Sequence, residues 1–300
     1  MKKFKYVKSL SVYLEMLRVK QWVKNILLVV PLFTSQNIED TNYFDILLLS
    51  FLAFCLCSSS VYIINDIIDI KNDRKHPIKK YRPFAFGLVP ISVGIIITPL
   101  LLAFSFLIAF FVNIKFLIAL FIYFLLSFLY SLKIKKIINI DCITLAFLYT
   151  IRVIAGGLAV DVAISFWLLA FSFFIFTSLA YLKRFVELKL IDEKNIAGRG
   201  YTKDDIDIVR TIGICTGLLS SVILSLYAND ENIKNQYLEP KYIWITIPIL
   251  IIWVNNLWTN ANRGNIKYDP LEYAIKNKFS LFNGFLFITC FILAIKGTPN

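Results

Sequence analysis

"NDIIDIKNDRKHPIKKYRP", residues 65–83, follows without a break on the apolar run "ILLLSFLAFCLCSSSVYII" of residues 46–64. A run of that length and greasiness crosses a hydrocarbon core of ~30 Å as a helix. The polar stretch therefore sits at a membrane mouth. Asp66, Asp69 and Asp73 are spaced i, i+3, i+7, which on an α-helix puts them within about 60° of arc and over ~10 Å of rise. Like charges so stacked repel one another. The pattern asks for a cation, and hard carboxylate oxygens beside a membrane suit Mg²⁺ bridging to substrate phosphates. Asn65 extends the same face. Pro77 is expected to end the helix, leaving Lys79, Lys80 and Arg82 on a loop that can fold back over the acids. Carboxylates that hold a metal next to fixed basic side chains make a pyrophosphate site. The plainer alternative is a solvated helix end partnered by Lys71, Arg74 and Lys75, which the spacing and the buried approach disfavour.

The rest of the chain agrees with a membrane setting. Its 300 residues are 58% hydrophobic, with a mean hydropathy of +0.69, more apolar surface than a water-soluble domain can hide. Apolar segments near 21–35, 43–65, 89–112, 114–131, 140–160, 163–182, 207–228, 241–258 and 279–296 predict about nine crossings. The fold class expected is all-α, a polytopic bundle with its site at the cytoplasmic mouth. Residues 1–300 read as one integral-membrane domain, with 1–20 a basic N-terminal segment resting on anionic lipid.

The formal charge of +12 reads as topology rather than nucleic-acid binding. The clusters Lys71 to Arg82, Lys133 to Lys136, Lys183 to Arg210 and Arg263 to Lys278 fall on one side. "SQNIEDTN" and "NDENIKNQYLEP" fall on the other. A cytoplasmic N-terminus satisfies the whole pattern, and the resemblance described below implies that the membrane is a bacterial plasma membrane. The five cysteines lie within apolar runs and predict neither a disulfide nor a zinc site. Arg152, some twelve residues into its segment, must face a polar interior, because a charge there costs at least roughly 2.5–3.5 kcal/mol otherwise. Lys24 and Asp141 sit at membrane boundaries, where snorkelling and helix capping are the alternatives to a role in binding. His76, the only histidine, reads as a loop residue, so no Ser/His/Asp triad or His/Cys metal cluster can be assembled.

"NDIIDIKND" is N-D-x-x-D-x-x-x-D and resembles the first aspartate-rich motif of the UbiA superfamily of intramembrane prenyltransferases, whose members have nine transmembrane helices. "RVKQWVKN" at 18–25, "NDRKHPIKKYRPFAFGLVP" at 72–90, "RVIAGGLAV" at 152–160, "KRFVEL" at 183–188 and "NRGNIKYDPLEYA" at 262–274 resemble the decaprenyl-phosphate phosphoribosyltransferase branch. That resemblance implies Mg²⁺-dependent transfer of the phosphoribosyl group from 5-phosphoribosyl pyrophosphate to a polyprenyl phosphate, feeding lipid-linked arabinose for the cell envelope. An ordinary UbiA prenyltransferase carries a second aspartate-rich motif after its sixth helix. This chain has Lys183 and Arg184 there.

Fixed cations in place of a second acid site suit substrates with more phosphate groups, each needing a partner once out of water. Lys24, Lys79, Arg82, Lys133, Arg152, Lys183 and Arg184 are the candidates, with Asn65 as a polar ligand. Asp66, Asp69 and Asp73 are the expected catalytic metal ligands. One departure stands out: in "DPLEYAIKNKFSL" the family pattern expects an aspartate where this chain has Asn277. The competing readings are aromatic prenylation by a polyprenyl pyrophosphate and, more remotely, a transporter, which would need acids near the bilayer midplane. The composition is compatible with a homo-oligomer as well as a monomer.

Overall fold

The computed structural model describes residues 10–34, 42–76, 78–190, 198–234, 237–266 and 269–296. Pro77, residues 1–9 of the basic head, most of "SQNIEDTN", and residues 297–300 lie outside the described residues, so the expectations attached to them are not addressed. Among the described residues the regular elements are helices. Eight helices are long and apolar enough to cross a membrane: α1 Asn42–Ile68, α2 Ile91–Val112, α3 Ile114–Leu132, α4 Ile140–Ala159, α5 Phe166–Leu190, α6 Ile206–Asn229, α7 Lys241–Asn262 and α8 Lys278–Lys296.

The segment expected to cross first, near 21–35, takes another form within the described residues. It is a 3₁₀ helix, Val19–Val29, running into a single α-turn, Val30–Thr34. Its sequence explains the departure. Lys20, Gln21, Lys24 and Asn25 break the apolar surface, and the last two are buried at 4% and 1% exposure. The tighter coil brings Lys24 and Asn25 inward, while Lys20 stays exposed.

The chain groups into two compact units. The first comprises Met1–Thr144, Ile151–Ile164 and Asn195–Gly200; the second comprises Leu145–Thr150, Ser165–Lys194 and Tyr201–Asn300. In the first, α1 packs mainly on α2, with α3 and the 3₁₀ helix against it. Gly156 of α4 touches the 3₁₀ helix so closely that a Cβ there would lie 1.9 Å from the Leu28 carbonyl oxygen. This is the close approach that "AGG" at 155–157 anticipated. At one end of this unit Asn113 is the sole connection between α2 and α3. Its Oδ1 accepts from the Phe116 amide at 2.8 Å, while its Nδ2 donates to the carbonyls of Leu158 and Ala159 at 3.0 Å each. One side chain thus satisfies the start of α3 and the end of α4.

In the second unit α5 and α6 form the most extensive pair, and α7 packs on both α6 and α8. A short helix, Pro270–Lys276, precedes α8. Asn277, the departure noted above, accepts from the Ser280 amide at 3.0 Å and donates to the Tyr273 hydroxyl at 3.0 Å. It caps α8, a role that needs an oxygen but no charge.

Candidate active site

The end of α1 builds the acid cluster. Helical hydrogen bonds continue from Asn65 to Asp69 (2.9 Å) and from Asp69 to Asp73 (2.8 Å), although Asp69 breaks the regular coil between α1 and a short helix, Ile70–Lys75. Asp66 and Asp73, two turns apart, are buried at 2% and 4% exposure. Both meet Arg82: one guanidinium nitrogen donates to Asp66 at 3.1 Å and to Asp73 at 2.7 Å. Arg82 reaches them from just beyond a 3₁₀ turn, Lys79–Tyr81, so the loop does fold back. His76 shapes that turn, with Nδ1 accepting from the amides of Ile78 (3.1 Å) and Lys79 (3.2 Å). Burial pushes the Asp73 carboxyl above the usual carboxylate range, and Arg82 pulls against it.

Two further cations complete the cluster. Arg18 donates through Nε to Asp66 at 3.2 Å, pairs with its other oxygen, and lies over the Tyr62 ring. Its backbone is left-handed, φ 52°, an unfavourable state for a side chain this size, tolerated where the surroundings over-determine it. Lys135 donates to Asp69 at 2.6 Å and to Asn65 at 3.2 Å. Burial lowers the Lys135 ammonium's pKa, and Asp69 works against the shift. Arg199 then bonds Tyr130 at 2.7 Å and approaches the Lys135 carbonyl at 3.4 Å. Three carboxylates are thereby balanced by Arg18, Arg82 and Lys135.

Among the expected site residues, Asn65, Asp66, Asp69, Asp73 and Arg82 come together here. Lys79 is half-buried in the turn beside them, and Lys133 is exposed; its neighbour Lys135 is the lysine that meets the acids. Arg18, Lys135 and Arg199 were not singled out from sequence. Arg18 opens the quoted "RVKQWVKN", and Lys135 lies inside a recognised basic cluster, so the signal existed without the resolution. Arg152 belongs to the same unit in a different setting. It is 4% exposed, donates to Asn25 at 3.0 Å and to the Tyr123 hydroxyl at 2.8 Å, and stacks on the Tyr123 ring. The polar interior its burial demanded is supplied by these neutral groups. Lys24 is buried next to Asn25.

The second unit holds Lys183 and Arg184 near the end of α5. Lys183 pairs with Asp269 at 3.6 Å, and Asp269 also caps the Pro270–Lys276 helix by accepting from the Leu271 amide at 3.1 Å. Leu145, Tyr149, Leu179 and Pro270 line a small pocket with this pair. Arg184 is fully buried, bonded to Glu187 and over the Tyr201 ring.

The acid cluster can be tested against Mg²⁺. The donors are hard oxygens, and Arg82 marks a point where Asp66 and Asp73 already share one cationic nitrogen. Among the described residues no three acidic, histidine or cysteine side chains converge closely enough to hold an ion as they stand, because each aspartate is turned to a basic partner. The donor chemistry fits such an ion, and each carboxylate faces a basic side chain.

The fold and this motif define an intramembrane transferase. The chain belongs to the UbiA prenyltransferase family, whose profile it matches over residues 28–234. It is 31% identical to the uncharacterized protein y4nM of Sinorhizobium fredii over 94% of its own length, and spans 56% of that longer relative. It is also 31% identical to nodulation protein NoeC of Azorhizobium caulinodans over 90% of this chain and 88% of that one. Identity to the decaprenyl-phosphate phosphoribosyltransferase of Mycolicibacterium smegmatis is 33%, covering 87% and 85% of the two chains. A UbiA homologue from Archaeoglobus fulgidus, solved with DMAPP and Mg²⁺, superposes with a TM-score of 0.72 over 95% of this chain and 99% of that one at 16% identity, a likeness of fold.

Proposed function

We propose that the protein transfers the 5-phosphoribosyl group of 5-phosphoribosyl pyrophosphate to a polyprenyl phosphate, releasing pyrophosphate, with Mg²⁺ as cofactor. The observation that carries this reading is the set of three aspartates, two of them buried, each held against a basic side chain: Arg18 and Arg82 on Asp66, Arg82 on Asp73 and Lys135 on Asp69. A donor bearing a pyrophosphate and a separate phosphate, and an acceptor bearing another, need both a metal site and basic side chains that can leave their carboxylates. The name of the relative in Mycolicibacterium smegmatis, decaprenyl-phosphate phosphoribosyltransferase, supports the same class of acceptor and the same transferred group, and Lys183 and Arg184 in place of a second acid motif disfavour prenyl pyrophosphate as donor.

Asp66, Asp69 and Asp73 would hold the ion, which when bound neutralises charge on the departing pyrophosphate. Arg82 and Lys135, relieved of their carboxylates, turn to the outer phosphate oxygens and hold the donor in place. The anomeric carbon acquires oxocarbenium character as the bond to pyrophosphate breaks. The acceptor phosphate attacks that carbon as an oxyanion already ionised at neutral pH, so no general base is needed. The apolar bundle keeps competing water from it. A cytoplasmic mouth in a bacterial plasma membrane would give access to the soluble donor, and the product would serve lipid-linked arabinose synthesis.

The test uses purified protein in detergent with Mg²⁺, a polyprenyl phosphate and phosphoribosyl pyrophosphate labelled in its 5-phosphate. Label should enter the organic phase only with Mg²⁺ present. No transfer from this donor, with transfer from a prenyl pyrophosphate to an aromatic acid, would replace the reading with aromatic prenylation.

A further inference from the structure

The second unit carries an open groove of about 510 Å³ that shares no lining residue with the Lys183–Asp269 pocket. Arg210 and Ile214 of α6 form one wall. Asn255, Thr259 and Asn262 of α7, with Arg263 just past its end, form the other, and Trp258 is the floor. The spacing of Asn255, Thr259 and Asn262, i, i+4, i+7, makes one helical face, and all three are exposed. Among the described residues the side chains of Asn255 and Thr259 have no hydrogen-bond partner. An amide in that state facing hydrocarbon costs free energy, and a ligand oxygen would remove the cost. Asn255 lies eight residues before Arg263, about 12 Å deeper along the helix.

The mouth of the groove is cationic. Arg210 has only the exposed surface partner Asp207, at 3.0 Å, a pair worth little. Arg263 is exposed and has no acidic partner among the described residues. Lys189 donates to the Asn262 carbonyl at the same helix end. The floor is rigid: Trp258 donates to Ser178 at 3.1 Å, Ser178 donates to the Gly213 carbonyl at 2.6 Å, and a Cβ on Gly213 would lie 2.3 Å from the indole.

We propose that this groove binds an anionic glycerophospholipid. Its phosphate pairs with Arg210 and Arg263, its glycerol and ester oxygens accept from Thr259 and Asn255, and an acyl chain lies along Ile214. A prenyl phosphate offers no oxygen below its phosphate and would leave Asn255 facing hydrocarbon, so the polar stripe selects an ester-bearing lipid.

Native mass spectrometry of the full-length protein, delipidated and then titrated with dioleoyl phosphatidylglycerol or dioleoyl phosphatidylcholine, tests this. The anionic lipid should be retained about tenfold more tightly. The preference should vanish in the Arg210→Gln/Arg263→Gln double variant and persist in the Arg210→Lys/Arg263→Lys variant. Asn255→Leu should weaken retention of both lipids. Equal retention of the two lipids, or undiminished preference in the glutamine variant, overturns the proposal. So does displacement by equimolar inorganic phosphate or, at lower concentration, by farnesyl phosphate. Should the glutamine variant fail to fold, unchanged binding by Asn255→Leu does the same. Turnover enters none of these readouts, so failure here leaves the transferase reading untouched.

Discussion

The acid cluster of the first unit and the charge pairs of the second solve the same problem, buried ionic groups near a membrane, in opposite ways. In the first, each aspartate is met by a cation from another element: Arg18 for Asp66, Arg82 of the turn that folds back for both Asp66 and Asp73, and Lys135 for Asp69. In the second, Arg184 pairs three residues along its own helix, and the Asp269 that meets Lys183 is already fixed as a helix cap. A long-range pair can be exchanged for another partner at the cost of side-chain movement alone. Arg184 and Asp269 are held by their own helices whether or not a partner moves, so their charges stay where they are. The difference assigns exchange to the first unit and fixed charge to the second.

That contrast can be broken most directly at the acids. Asp69→Asn or Asp73→Asn should lower turnover by about a thousandfold or more while the protein remains folded. Near-normal rates in either variant, read in the lipid-extraction assay, would remove the metal role. A subtler test has two opposite signs. Arg82→Gln should cost about 2–3 kcal/mol of stability by stripping two buried carboxylates of their shared cation. The same variant should bind divalent metal more tightly than the parent, because its competitor is gone. Weaker Mn²⁺ binding by calorimetry would mean that Arg82 supports the metal and does not compete with it.

In the second unit Lys183→Met should reduce kcat/KM by roughly tenfold with little change in melting temperature, since the lysine is a third exposed and Asp269 keeps its cap. A large fall in stability would show that the pair is structural. The smallest effect belongs to Asn277→Asp. Either side chain can accept from the Ser280 amide, so stability should stay within about 0.5 kcal/mol and activity should be unchanged. A marked gain in activity would mean that the family's aspartate carries charge to the site and that its loss here matters.

How far the sequence could see depends on the kind of interaction. The spacing of Asp66, Asp69 and Asp73 was legible because helical period alone puts them together, and Arg152 was legible because burying a charge mid-segment is costly anywhere. Choosing Lys133 over Lys135 from "KIKK" required knowing how a three-residue turn points its side chains, and no periodicity encodes that. Arg18 was hidden by its left-handed backbone, which appears in no propensity. Arg199 lies outside every helical run that periodicity could place. The stretch near 21–35 carried enough apolar residues to suggest a crossing, yet Lys24 and Asn25 are buried in a 3₁₀ coil instead. Hydropathy counts residues; it does not count the partners that polar ones will find.

The amide of Asn113 also has a bearing on biosynthesis. Its oxygen can cap α3 as soon as that helix exists, but its nitrogen has no carbonyls to meet until Leu158 and Ala159 have been made some forty-five residues later. A hairpin of α2 and α3 entering the bilayer would therefore carry a half-used amide at its tip, a standing invitation that only the end of α4 can answer. The order of translation becomes an order of assembly, and the last turn of α4 is received by a hydrogen-bond donor that was set in place before it emerged.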